Sequence, residues 1–204
     1  ERQGTVIEIP VIRGAIRVPT IEDEKILSSA PDVGYLRYKS FKKDSYAELR
    51  KACEGLMEQI QKSGQDNAKL IIDLRGNGGG SLHEVINIAD MFMEEDGGAR
   101  DVIVATGRTS NDNKRFVDDY VPGRLGFAQV VLLQDHNSAS ASEILAGAMK
   151  DAGFKIVGNR SYGKGSVQNL IALTRTGGNH YDYNNAPGGG VKCSSAFAVT
   201  APWN

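Results

Sequence analysis

From Val130 to Gln168 the chain reads VVLLQDHNSASASEILAGAMKDAGFKIVGNRSYGKGSVQ, an order of segments that restricts the fold severely. An apolar strand (Val130 to Leu133) gives way to small polar residues, then to a helix of small and aliphatic residues (Glu143 to Lys150). A second strand (Phe154 to Val157) follows, and the chain enters Ser161-Tyr162-Gly163-Lys164-Gly165-Ser166-Val167-Gln168. A similar unit lies upstream. Lys69 to Leu74 reads as a buried strand, followed at once by Arg75-Gly76-Asn77-Gly78-Gly79-Gly80. The amphipathic helix after it spans His83 to Glu94, with Val85, Ile88, Ala89 and Phe92 as its apolar stripe. Further upstream, a strand over Val33–Tyr38 precedes a helix that Asp44 or Ser45 can cap and that runs to about Ser63. Leu49, Cys53, Leu56, Met57 and Ile60 share one face of it. Strands alternating with helices predict an α/β domain built of β-β-α or β-α units.

The remaining segments are read as connectors and strands. Thr5 to Ile12, which contains Pro10, fits an edge strand or a connector, and Ala15 to Thr20 a short extended piece. Val102 to Ala105 is a strand, and Gly107 to Asp118 a loop or the start of a helix. Leu170 to Thr200 predicts two strands joined by the long loop NHYDYNNAPGGG. No internal repeat or linker divides the chain.

Composition removes several functional classes. A chain of 204 residues can bury a substantial single core without staples. With 24 basic against 25 acidic side chains, nothing electrostatic favours nucleic acid or an anionic membrane as partner. No apolar run approaches the roughly 18 residues of a transmembrane helix. Cys53 and Cys193 lack metal-ligand spacing and are expected as free thiols, and His83, His136 and His180 form no metal motif. Glycine clusters at 76–80, 163–165 and 188–190, which marks tight turns and close backbone approach.

Chemistry concentrates on a serine and a lysine. A hydroxyl at a helix N-terminus sits beside backbone N–H donors and the positive end of the dipole, which suits a developing oxyanion. Ser140 also completes a capping box with Glu143, so its position alone is equally that of a structural cap, and Ser138 and Ser142 compete for either role. A lysine flanked by glycines can be placed closely, and burial would lower its pKa enough for it to act as a base. Lys164 on its own also fits an exposed turn lysine. A phosphate loop is excluded: Gly158 and Gly163-Lys164 have the right spacing, but Gly165 stands where a magnesium-binding Ser or Thr is required. Dinucleotide binding at Gly76-Asn77-Gly78 fails because Ser81 replaces the third glycine. A triad through His136 or His83 lacks any chain-order signature. A serine–lysine pair fits these residues better.

At this point the chain resembles a known family. Asn137-Ser-Ala-Ser-Ala-Ser-Glu143, Ala146-Gly-Ala148 and Gly163-Lys-Gly-Ser-Val-Gln168 are similar to the carboxyl-terminal processing (tail-specific) serine peptidases, family S41. So are Asp73-Leu-Arg-Gly-Asn-Gly-Gly-Gly80, Gly34-Tyr-Leu-Arg-Tyr-Lys-Ser-Phe41 and Ala15-Ile-Arg-Val-Pro-Thr20. The resemblance implies a Clp-protease/crotonase-like core of β-β-α units with a C-terminal β extension. It makes Ser140 the nucleophile, Lys164 the general base and Gln168 its orienting partner; a helical turn beginning at the lysine would put the last two on one face. Oxyanion donors would come from Ala141 and from the glycine run, with Gly79 chosen and Gly78 and Gly80 as alternatives. Asp151 matches a supporting acidic position.

The implied activity is that of a serine endopeptidase, cleaving proteins near apolar C-terminal tails outside the cytoplasm, in the periplasm, at the cell envelope or after secretion. No metal or organic cofactor is implied, partners are protein or peptide substrates, and a homo-oligomer is left open. Residues 1–14 fit the last strand of an upstream PDZ domain or a connector, and 15–204 a peptidase core lacking part of the usual family length. The alternative is a noncatalytic peptide- or apolar-ligand-binding domain on the same fold.

Overall fold

The computed structural model describes residues 18–93, 101–106, 114–117, 125–164, 166–172, 174–176, 180–182 and 190–200, with side chains at 18–93 and 125–164. The expected strand over Thr5–Ile12, the proposed PDZ remnant at 1–14 and the first half of Ala15–Thr20 lie outside the described residues.

A five-stranded sheet organises the chain. Its strands are β1 (Ile21–Leu27), β2 (Ala30–Tyr38), β3 (Lys69–Asp73), β6 (Gln129–Gln134) and β7 (Lys155–Gly158), in the spatial order β1-β2-β3-β6-β7. β1 and β2 form an antiparallel hairpin, while β2, β3, β6 and β7 run parallel. Helix α1 (Ser45–Lys62) joins β2 to β3, and α3 (Ala141–Asp151) joins β6 to β7. Between β3 and β6 lie α2 (Leu82–Asp90), β4 (Asp101–Thr106) and β5 (Lys114–Val117). Parallel neighbours require such crossovers, and their uniform right-handedness collects the helices on one face of a sheet wound in one direction. Consistent with this, α2 packs against both α1 and α3.

The apolar patterning explains the packing. α1 buries Leu49, Ala52, Cys53, Leu56 and Ile60, the i, i+3, i+4, i+7 stripe of a helix seated on a sheet. Leu36 and Tyr38 of β2, Leu70 and Ile72 of β3, and Val130 and Leu132 of β6 meet it in one core with Val85, Ile88, Leu145 and Met149. Asp44 does not cap α1 through its own side chain. The cap comes from α2: buried Glu84 accepts the N–H groups of Asp44 (3.1 Å) and Tyr46 (2.7 Å) and the Ser45 hydroxyl (3.3 Å). A carboxylate at a helix N-terminus opposes the positive dipole end, so one side chain fixes α1 to α2.

Four elements differ from the sequence-based expectations. β1 was not anticipated, because Glu22-Asp23-Glu24-Lys25 breaks any apolar alternation; it is an exposed edge with a register shift between Glu22 and Lys25. β5 occupies part of the stretch expected as loop or helix. The tail holds four strands rather than two: β8 (Ser166–Ala172) and β11 (Gly190–Thr200) pair antiparallel, and β9 (Thr174–Thr176), ahead of the expected loop, pairs with β10 (His180–Asp182), within it. Finally, Ser166 onward is strand, so the helical turn expected to align Lys164 with Gln168 does not form. β-branched and aliphatic residues at Val167, Leu170 and Ile171 favour the extended form there. The second sheet, ordered β5-β4-β11-β8, joins the C-terminal strands β8 and β11 to β4 and β5, and α3 packs against its β4 and β11. Among the described residues no helix is long and apolar enough to cross a membrane.

Candidate active site

The loops leaving the carboxyl ends of β3 and β6 meet at Ser140. Leu74 donates its N–H to Leu133 O at 2.8 Å, extending the parallel register one residue past β3. The chain then turns through Arg75 and Gly76, and Asn77 reverses it. Asn77 is fully buried, with every polar group but one side-chain hydrogen accounted for. Its Nδ2 donates to Tyr38 O (2.8 Å), its Oδ1 accepts the Gly79 N–H (2.9 Å), and its N–H reaches Leu74 O (3.0 Å). Its carbonyl accepts the Ala139 N–H (3.0 Å) and the Ser142 hydroxyl (2.9 Å). The glycine run is next zipped to the strand end after β2, with Phe41 N–H on Gly79 O and Ser81 N–H on Phe41 O.

Two of those glycines are required by space as well as by conformation. Gly79 has φ +95°, and a Cβ there would stand 2.6 Å from Ala139 O, 2.8 Å from Ala141 N and 2.8 Å from Ser140 Cβ. Gly80, at φ +151°, would place a Cβ 2.2 Å from Phe41 O. The run is therefore packed directly against the serine turn.

The three serines of that turn separate cleanly. Ser138 is 1% exposed, and its hydroxyl donates to Leu74 O (2.8 Å) and accepts the Asp135 N–H (3.0 Å). Ser142 is 1% exposed and bonded to Asn77 O. Ser140 alone of the three is half-buried and reaches solvent. It precedes α3 with φ 57° and ψ −117°, a backbone region that strains any residue with a Cβ. The Glu143 half of the capping box is formed, with the Ser140 N–H on Oε2 at 2.8 Å. The Ser140 hydroxyl faces the N3 amide in the same box without closing a cap hydrogen bond. Among the described residues the Ala141 N–H has no hydrogen-bond acceptor, whereas the Gly79 N–H is held by Asn77.

Lys164 arrives from the other side. After β7 the chain passes Gly158, where a Cβ would stand 2.0 Å from Gln134 O, and crosses back over the serine turn through Tyr162 N–H on Ser138 O (3.0 Å). Glu143 Oε1 accepts the Gly163 N–H (2.6 Å) and Oε2 the Lys164 N–H (2.9 Å). Burial opposes ionisation of this carboxyl, but the Ser161 hydroxyl and the N–H groups of Gly163, Ser140 and Lys164 outweigh it and hold its pKa below the usual range. Lys164 is half-buried, and among the described residues its ammonium has no carboxylate partner. Gln168 is the third residue of β8, where the main chain alone is described.

Of the other candidates, His83 and His136 are exposed, and His83 Nε2 lies 3.5 Å from Asn87 Nδ2. Asp151 is exposed at the last residue of α3, one helix length or ~16 Å from the serine turn. Cys53 is buried in the core. No three His, Cys, Asp or Glu side chains converge as metal ligands among the described residues.

Sequence reasoning missed the residues that hold the loops. Asp135 accepts the N–H groups of Gly76 and Asn137, each at 3.0 Å. Asp73, 1% exposed, receives the Tyr35 hydroxyl and a forked hydrogen bond from Arg75. An Asp two residues before a backbone N–H is a local signal for such turns, and it is present at both positions. Beside Glu143 and Ser161 a cavity of about 400 Å³ opens between α3 and β7, walled by Ala146, Phe154, Ile156 and Val157.

Comparison with known proteins bears on this arrangement. The sequence model described as Peptidase family S41 matches residues 32–192. A carboxy-terminal-processing protease of Bartonella bacilliformis is 32% identical over 173 residues, covering 84% of this chain and 37% of that protein. A carboxyl-terminal-processing protease of Picosynechococcus sp. is 33% identical over 173 residues, covering 84% of this chain and 39% of that one. The chain thus spans less than two fifths of either relative. Among solved structures, a photosystem II D1 C-terminal processing protease superposes with TM-score 0.54 and 30% identity, covering 69% of this chain and 33% of that one. An S41 protease structure from Bacteroides fragilis gives TM-score 0.66 at 18% identity, over 92% of this chain and 47% of the other, a likeness of fold.

Proposed function

Because the chain belongs to peptidase family S41, we propose that it is the catalytic part of a carboxyl-terminal-processing serine protease with Ser140 as nucleophile and Lys164 as general base. The observation that carries this reading is the sorting of the serines. Ser138 and Ser142 are buried with their hydroxyls engaged, while Ser140 stands half-exposed on a strained turn at the head of α3.

The chemistry follows from that placement. Neutral Lys164 takes the Ser140 proton as Oγ attacks a peptide carbonyl, giving a tetrahedral oxyanion. The Ala141 N–H, unengaged at the helix head, is one donor to that oxyanion. The glycine run supplies the second; with the Gly79 N–H already on Asn77 Oδ1, Gly79 donates by sharing or exchanging that bond, and Gly78 and Gly80 are the alternatives. Collapse expels the amine, which takes the proton from Lys164, and leaves an acyl-enzyme on Ser140. Water, deprotonated by Lys164, then attacks the ester carbonyl; the Ser140 Oγ–acyl bond breaks, Oγ takes the proton back from Lys164, and the acid product leaves. As the resemblance implies, Gln168 orients the lysine.

Substrates in this reading are proteins with apolar C-terminal tails, processed outside the cytoplasm, as the resemblance implies. Residues 1–14 would end an upstream domain or connector, and 15–204 form the peptidase core.

A fluorophosphonate probe tests the assignment. It should label the wild-type chain, spare Ser140→Ala and react far more slowly with Lys164→Ala. Labelling of Ser140→Ala at the wild-type rate overturns the nucleophile. A wild-type chain that resists the probe and binds tail peptides without cleaving them favours a noncatalytic binding domain.

A further inference from the structure

Ser140 and Lys164 are carried by different loops, yet a base serves its nucleophile only when the two are held within a fraction of an ångström of the productive geometry. One side chain touches the main chain of both. Glu143 Oε2 accepts the N–H of Ser140 at 2.8 Å and the N–H of Lys164 at 2.9 Å, so both amides converge on a single oxygen atom. Oε1 takes the Gly163 N–H at 2.6 Å. An ionised carboxylate offers about four acceptor sites, and three main-chain N–H groups converge on those of Glu143.

We propose that Glu143 is a positioning residue that sets the spacing between the nucleophile turn and the base turn. The proposal rests on the Ser140–Lys164 chemistry above. Glu143 grips Lys164 by its main chain, and no ion pair joins it to the ammonium among the described residues. Its negative charge is taken up by N–H dipoles, which leaves Nζ available to Ser140. A carboxamide cannot replace it, because one of its two heads would present hydrogens to N–H donors.

The test compares Glu143→Gln, Glu143→Asp, Ser140→Ala and Lys164→Ala by probe-labelling rate, kcat and KM on a peptide with an apolar C-terminus, melting temperature, and hydrogen exchange of residues 161–164. Glu143→Gln should lower kcat and labelling about 100-fold with KM nearly unchanged, the scale of loss expected for a small misplacement. The amides of Gly163 and Lys164 should exchange faster in it while the core stays protected. Glu143→Asp, one methylene shorter, should fall between. Wild-type kcat and wild-type exchange in Glu143→Gln overturn the proposal, as does a rate loss that merely follows the unfolded fraction. If Glu143→Gln does not fold, wild-type rates and exchange in Glu143→Asp overturn it equally. Full activity of Ser140→Ala or Lys164→Ala instead sinks the underlying chemistry, while exchange at 163–164 still reports on the clasp.

Discussion

The Ser142 hydroxyl donates to the Asn77 carbonyl at 2.9 Å, joining residues 65 apart in sequence and fastening the serine turn to the glycine turn. The same carbonyl accepts the Ala139 N–H, so Asn77 holds both sides of Ser140. Ser140 is thereby attached to the ends of β3 and β6, and its position is a property of the sheet.

Asn77 should therefore be costly to replace. Asn77→Ala leaves Tyr38 O and the Gly79 N–H buried and unpartnered, and each such loss costs about 1–3 kcal/mol. Urea unfolding should show a destabilisation in that range or above, with probe labelling reduced further than the folded fraction explains. A stability equal to wild type would contradict the buried network.

Two glycines with similar φ separate space from conformation. Gly79→Ala meets Ala139 O and Ala141 N at under 3 Å as well as the strain of φ +95°, whereas Gly163 at φ +93° has open space around its missing Cβ. Gly163→Ala should cost roughly 1–2 kcal/mol for the left-handed conformation alone. Gly79→Ala should exceed that clearly and abolish labelling. Equal melting temperatures for the two variants would show that the turn relaxes freely.

Acid sensitivity follows from three carboxylates. Asp73, Asp135 and Glu143 all have pKa values held below normal, since burial raises each but hydrogen bonds outweigh it: Arg75 and Tyr35 at Asp73, the Gly76 and Asn137 amides at Asp135, and the Ser161–Lys164 turn at Glu143. A depressed folded pKa means the unfolded chain binds more protons, so stability rises with pH through that window. The contribution is complete above the unfolded values of about 4 and is lost as pH falls through the folded ones. Unfolding free energies measured from pH 5 to pH 2 should fall steadily, and the slope should flatten in Glu143→Gln. An unchanged slope would remove Glu143 from the set.

Cys53 offers a reporter of global opening. Burial among α1 and sheet residues pushes its thiol pKa far upward, so little reactive thiolate forms. In a Cys193→Ser background, where Cys53 is the one remaining thiol, Ellman's reagent should react with it only as fast as the domain unfolds, and denaturant should accelerate the reaction in step with the unfolding transition. Rapid reaction in native buffer would mean that α1 lifts from the sheet by itself.

Much of the architecture was legible because its signals are local. KLIID and QVVLLQ are apolar runs bounded by turn residues, and Leu49–Ile60 repeats at helical spacing. Ser140 and the glycine run stood out for the same reason. What escaped depends on distant partners. β1 is held by pairing with β2 despite four consecutive charged residues. Glu84 resembles a local capping residue of its own helix but turns its carboxylate to α1. Glu143 likewise fits a local box, while its second task lies 20 residues further on at Gly163. The spacing of Lys164 and Gln168 suited a helical turn, yet pairing of β8 with β11 made it a strand.

β1 carries a consequence for association between copies of the chain. A sheet with a free flank can grow by adding a strand from another molecule, and among the described residues this sheet ends on β1 at one flank and β7 at the other. On β1, charged side chains from Glu22 to Lys25 are exposed, Asp23 adopts φ 52°, and the register slips, so an incoming strand meets charge and a broken ladder. On β7 the free ladder is four residues long and ends in a glycine at φ +128°. Both flanks discourage runaway edge-to-edge stacking between copies of the chain.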